Sequence, residues 1–186
     1  MSKLETNTID TVSGSSTLTI GDSNTSTITL KSGATLTNFP DNTPAFMVKL
    51  SSSQTGVSDD TFTKVTYDNE VFDTDNAFAS NKFTVPSGEG GKYYFTVGVD
   101  VDSETNSNLD SATVQVKVNN SSEYAAEYYL AANPPRRIPV HTGVILDLSA
   151  SDYVEIFCRI EATDSSGGRF NTDGTFLGGY KLTGIS

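Results

Sequence analysis

The sequence predicts an all-β protein built as an antiparallel sandwich, and three observations carry that prediction. Tyr93, Phe95, Val97, Val99 and Val101 share one face of a segment whose other face holds Tyr94, Thr96, Gly98, Asp100 and Asp102. A period of two sustained over that length marks a half-buried antiparallel strand. Just upstream, Lys82-Phe83-Thr84-Val85-Pro86 runs into the glycine-rich Ser87-Gly88-Glu89-Gly90-Gly91, so a proline closes one strand and a turn opens the next. Throughout the chain, short bursts of β-branched and aromatic residues alternate with Ser, Thr, Asn, Asp and Gly, and no long helical period is present.

Taken in order, the first elements are small. Thr17-Leu18-Thr19-Ile20 recurs as Thr27-Ile28-Thr29-Leu30, with a shorter echo at Ala34-Thr35-Leu36-Thr37, and polar turn residues lie between the units. Each unit has too few apolar side chains to bury a core alone and needs neighbouring copies. Residues 1–39 therefore read as a β-stalk or anchoring segment formed between protomers. Pro40, Asp41, Asn42, Thr43 and Pro44 combine two prolines with a turn-forming pair and make residues 40–44 a linker. A head follows over 45–186. Its strands are expected at Phe46–Leu50, Thr61–Tyr67, around Phe83, around Phe95, at Ala112–Val118, Val144–Leu148, Tyr153–Ile160 and Thr175–Leu182. Strands of this length and spacing suit a sandwich or jelly roll.

Charge and composition exclude several functions. A net charge of −11 opposes nucleic-acid binding, which needs clustered Lys and Arg to neutralise phosphates. No run approaches the roughly 18 apolar residues of a membrane span, so no membrane insertion is expected. Residues 1–20 lack the basic start and apolar core of a signal peptide. With Cys158 the only cysteine, no internal disulfide can form, and its phase with Val154, Ile156 and Ile160 places it in the core.

Catalytic residues are not visible. His141 is the only histidine, and no Gly-x-Ser-x-Gly elbow accompanies it, so the chain is expected not to be an enzyme. Asp100-x-Asp102-x-Glu104 starts like a calcium loop, but Thr105 stands where the glycine belongs and Ser111 where the bidentate glutamate belongs. These three are weak metal candidates, with Asp59, Asp60, Asp164 and Asp173 as further carboxylates. A solvated hairpin tip over Ser103–Asp110 fits better. No cofactor is expected, and calcium is the one ion the pattern would suit. For binding, three loops stand out. Tyr124, Tyr128 and Tyr129, with Glu123 and Glu127, suit either a sugar-stacking platform or a subunit interface. Pro134-Pro135-Arg136-Arg137 is a basic cluster suited to acidic groups of a neighbouring chain, or a stiff exposed loop. Arg169 and Phe170 lie in a glycine-rich loop from Asp164 to Gly174 that suits a contact tip.

Read in order, residues 44–186 resemble the globular head of the complement subcomponent q family, with its tumour necrosis factor-like jelly roll. The resemblance runs from Ala45-Phe46-Met47-Val48 through Phe62, Lys64, Val65, Tyr67 and Phe78 to Phe83-x-Val85-Pro86 and Tyr93-Tyr94-Phe95. It closes on Phe176-Leu177-Gly178-Gly179-Tyr180-Lys181-Leu182. It implies a compact homotrimer that binds through surface loops, with Phe83, Pro86, Tyr93, Phe95, Phe176, Gly179 and Leu182 as family core positions. The turn from Pro86 to Tyr93 is longer than the family's usual one, and no Gly-X-Y repeat stands upstream. The stalk ahead of such a head, and the opening Met1–Asp10, resemble fibre-like virion proteins of marine bacteriophages. The resemblance implies a trimeric phage fibre or appendage, made in the host cytoplasm without a signal peptide. Residues 1–39 would meet other virion proteins and the head a host-surface glycan or protein. The alternatives are a capsid decoration protein or head fibre held to the shell by its N-terminal arm, and a soluble carbohydrate-binding or adhesin module.

Overall fold

The computed structural model describes residues 42–184 together with Ser32. The expected stalk over 1–39, Ser32 apart, lies outside the described residues, as do Pro40 and Asp41 of the expected linker. The head contains twelve strands: β1 Ala45–Lys49, β2 Gln54–Val57, β3 Thr63–Lys64, β4 Asn69–Asp73, β5 Phe78–Ala79, β6 Lys82–Thr84, β7 Gly91–Asp102, β8 Leu109–Val118, β9 Ser121–Tyr129, β10 Arg137–Leu148, β11 Tyr153–Ala162 and β12 Gly168–Lys181. They form two six-stranded sheets. The first runs β10-β7-β12-β1-β4, with β2 added to β12; the second runs β5-β6-β11-β8-β9, with β3 added to β11. Neighbouring strands within a sheet are antiparallel and mostly distant in sequence, as in a jelly roll.

The alternation of β7 fixes the core. Tyr93, Phe95, Val97, Val99 and Val101 are fully buried between the sheets, against Val114 and Val116 of β8 and Val154, Ile156, Cys158 and Ile160 of β11. Phe46 and Phe83 stack at 4.9 Å, and Phe95 meets Phe83 edge-on at 5.5 Å. Each such pair adds about 0.5–1.5 kcal/mol beyond area burial. Gly179 runs beneath this cluster because a Cβ there would lie 2.8 Å from Phe95 and 3.0 Å from Phe46.

Several boundaries differ from the expected ones, each for a local reason. The strand expected at Thr61–Tyr67 pairs only over Thr63–Lys64, although Val65 and Tyr67 are buried. The strand expected at Thr175–Leu182 begins at Gly168 and crosses a register shift between Asn171 and Phe176, which hides its period in the sequence. The tyrosine-bearing segment expected as a loop is β9, joined to β8 by Asn119 and Asn120, both left-handed (φ 50° and 66°). Asparagine is among the few residues that adopt this conformation readily, and two in a row suit a two-residue hairpin turn.

Chain direction sets the two ends of the sandwich. Thr183 Oγ1 donates to Asn42 Oδ1 at 3.0 Å, so both ends of the described chain lie together. The turns at 103–108, 130–136 and 163–167 gather at the opposite, distal end.

Candidate functional site

Asn108, almost fully buried, ties the distal end together. Its Nδ2 donates to Asp164 Oδ1 at 2.8 Å, its amide to the Pro135 carbonyl at 3.2 Å, and its carbonyl accepts from the Thr163 amide at 2.8 Å. One residue thus joins three turns, as a pre-shaped contact surface requires.

Beside it, Asp100 and Asp102 occupy the outward phase of β7, yet both are buried. Asp102 accepts Arg136 Nε at 2.9 Å, Arg169 Nη2 at 3.0 Å and the Glu104 amide at 2.7 Å. Arg137 forks onto Asp100, with its Nε at 2.7 Å and its Nη2 on the second oxygen, and that Nη2 also reaches Asp173 at 2.9 Å. Burial alone would raise the Asp102 carboxyl; the hydrogen bonds from Arg136, the Glu104 amide, Arg169 and Asn171 outweigh it and hold the carboxyl well below the usual range. The Arg137 hydrogen bond likewise lowers Asp173.

This lattice revises three expectations. The Ser103–Asp110 tip is only partly solvated, since Ser103, Asn108 and Leu109 are buried. Arg136 and Arg137 are matched to carboxylates of their own chain. Asp100, Asp102 and Glu104 are engaged by guanidinium groups, and among the described residues no group of three His, Cys, Asp or Glu is placed to hold a metal. Phe170, expected in a contact loop, is fully buried in β12 because its phase faces the core, and Arg169 beside it sits in the same strand. His141 is exposed on β10, its ring 5.9 Å from Phe176.

A second surface lies on the outer face of the first sheet. Gly98, Gly143 and Gly178 keep the sheet low there: a Cβ at Gly143 would lie 2.8 Å from Tyr94 Oη, and one at Gly98 would lie 2.5 Å from the Phe176 ring. The rings of Tyr94 and Tyr180 are 5.7 Å apart. Beside them opens a shallow apolar pocket of about 370 Å³, lined by Met47, Phe72, Thr96, Phe176, Gly178 and Tyr180 among others. Phe176, expected as a core position, belongs to this outward face and is only half-buried. Sequence reasoning left this surface out, although part of its signal was present: Tyr94 in β7 and Phe176 and Tyr180 in β12 stand at outward positions, where solvent-facing strands carry polar residues.

A third surface is the side of the sandwich formed by β9 and β10. Tyr124, Tyr128 and Ile145 are 49%, 44% and 55% exposed, and Tyr129 is 75% exposed. The first two tyrosines pair across from Val116 and Ala112, so they point toward the gap between the sheets and overhang its mouth. Glu127 is taken up by Arg159 at 2.7 Å.

No protein-family model matches the chain, and no curated protein does. Among solved structures it is similar to the globular domain of zebrafish complement 1qA protein, at 19% identity and a TM-score of 0.52, covering 75% of this chain and 97% of that one. It is also similar to murine APRIL at pH 5.0, at 13% identity and a TM-score of 0.54, covering 74% of this chain and 98% of that one. Murine APRIL at pH 8.0 gives 16% identity and a TM-score of 0.52, covering 74% and 97%. These likenesses define the fold: an all-β jelly-roll sandwich of the complement q and tumour necrosis factor kind.

Proposed function

We propose that the chain is a phage virion structural protein, without enzymatic activity, whose head is a homotrimer presenting its distal end to the host surface. The observation that carries the trimer is the pairing of two unlike apolar surfaces on one head. The flat, glycine-paved face around Met47, Phe176 and Tyr180 suits an inserted edge. The β9–β10 side supplies one, with Tyr124, Tyr128 and Ile145. Contact between two different patches is heterologous, and such contacts close only as rings; the fold likeness favours three members. Exposed tyrosines at the edge agree, because tyrosine is enriched in interfaces. This assigns Tyr124 and Tyr128 to the interface over the sugar platform.

The distal turns, joined through Asn108 and the Asp102 lattice, lie at the end of the sandwich opposite Asn42 and form the host-contact surface in this reading. The virion assignment rests on the resemblance of residues 1–39 to phage fibre proteins. Copy number per particle tests it, by quantitative mass spectrometry of purified virions that carry the gene. A few trimers per particle is the expected result. Copies in proportion to capsid subunits would indicate a decoration protein. Absence from the particle would overturn the virion reading in favour of a soluble binding module.

A further inference from the structure

The flank of the sandwich opposite the β9–β10 side carries a pocket that no role above uses. It opens between β1, β4 and the β5–β6 hairpin, with a volume of about 320 Å³. That is at the lower end of the range of about 300–1,000 Å³ typical of small-molecule sites. Its apolar lining comes from Val48, Tyr67 and Phe78, and its polar lining includes Asn69, Glu70 and Asn81. Among the described residues the side chains of these last three make no hydrogen bond or ion pair. By contrast, the neighbouring charges are already satisfied. Asp68 accepts from the Ser51 amide, and Lys64 is bound to Glu155 and the Ser80 carbonyl.

The hairpin turn is built from Ser80 and Asn81, both left-handed at φ 53° and 59°. Glycine is the favoured residue at the second position of such a turn. Asparagine keeps the conformation while adding an amide to the pocket lining.

We propose that this pocket binds a neutral sugar of pyranose size. The ring's CH-rich face would rest on the half-buried Phe78, and its hydroxyls would meet the amides of Asn69 and Asn81 and the Glu70 carboxylate. Two amides supply donors and acceptors together, and one carboxylate accepts, which is the complement of a polyhydroxylated ring. The lining offers no free cation for an anionic ligand, and unpaired polar groups would penalise a purely apolar one. The inference rests on the pocket alone and is separate from the distal contact surface proposed above; on the virion reading it would add a sugar subsite on the flank of the same head.

The test is titration of the full chain with methyl pyranosides of glucose, galactose, mannose and N-acetylglucosamine, followed by calorimetry and saturation-transfer NMR. At least one should bind with a dissociation constant on the order of millimolar. Asn81→Gly, which keeps the left-handed turn, should weaken it about tenfold with no loss of melting temperature. Glu70→Gln, which keeps an acceptor, should weaken it only a few-fold. Flat titrations with all four sugars on protein that is still folded would overturn the inference and leave the virion reading standing. So would a sugar that binds Asn81→Gly as tightly as the native chain, because its site would then lie elsewhere.

Discussion

Asp102 illustrates how a buried carboxylate on the outward face of a strand can be stabilised by the chain around it. Its partners come from two segments distant in sequence, Arg136 before β10 and Arg169 in β12. Asp102→Asn should lower stability at neutral pH by roughly 1–3 kcal/mol, since it weakens charge-assisted hydrogen bonds from two guanidinium groups that are themselves partly exposed. The pH dependence has a definite sign. The folded carboxyl titrates below the unfolded one, so its contribution is complete above about pH 4 and is lost as pH falls toward the folded value. Urea melts across the acid range should show a shallower decline for Asp102→Asn than for the native protein; parallel declines would contradict this. In the core, Gly179→Ala should cost about 1–3 kcal/mol, because the added methyl meets two rigid rings. Cys158 is fully buried, and burial pushes its thiol well up. It should therefore stay unlabelled by a thiol reagent until the protein unfolds.

At the scale of elements, β7 was legible because its face is buried along the whole length, which imposes strict alternation. Strand β9 was not, because an edge strand over the open side of a sandwich has no face that must be apolar throughout. Ser121-Ser122-Glu123-Tyr124-Ala125-Ala126-Glu127-Tyr128-Tyr129 accordingly shows no period. Its one local signal was the Asn119-Asn120 pair that makes the hairpin turn. The distal lattice was partly legible. Asp100, Asp102, Arg136, Arg137 and Arg169 each stood out, but only the register of β7 with β10 and β12 brings them together. The flank pocket left no sequence signal, since its residues come from three separate segments. The β9–β10 side makes a sharp prediction. Ile145 is more than half exposed on its own head, so Ile145→Asp should change the stability of an isolated head by no more than about 1 kcal/mol. In the assembled protein the same change should release monomers, read by sedimentation velocity. An assembly that survived it would show that this side is free.

At the scale of the whole molecule, one jelly roll carries four distinct surfaces. In the proposed trimer the apolar face of the first sheet and the β9–β10 side would hold copies together, and the distal turns and flank pocket would face outward. Composition and alternation made the fold class readable, because two buried sheet faces leave a strong pattern. Assembly was harder to read, because the residues that would meet in it belong to different protomers and have no spacing in sequence. Light scattering on the purified full chain, with and without a chelator, tests the assembly directly. A mass three times the 19.8 kDa chain, unchanged by the chelator, is the expected result. A mass of one chain would contradict it, since the apolar face and the tyrosine edge would then both stand open to water.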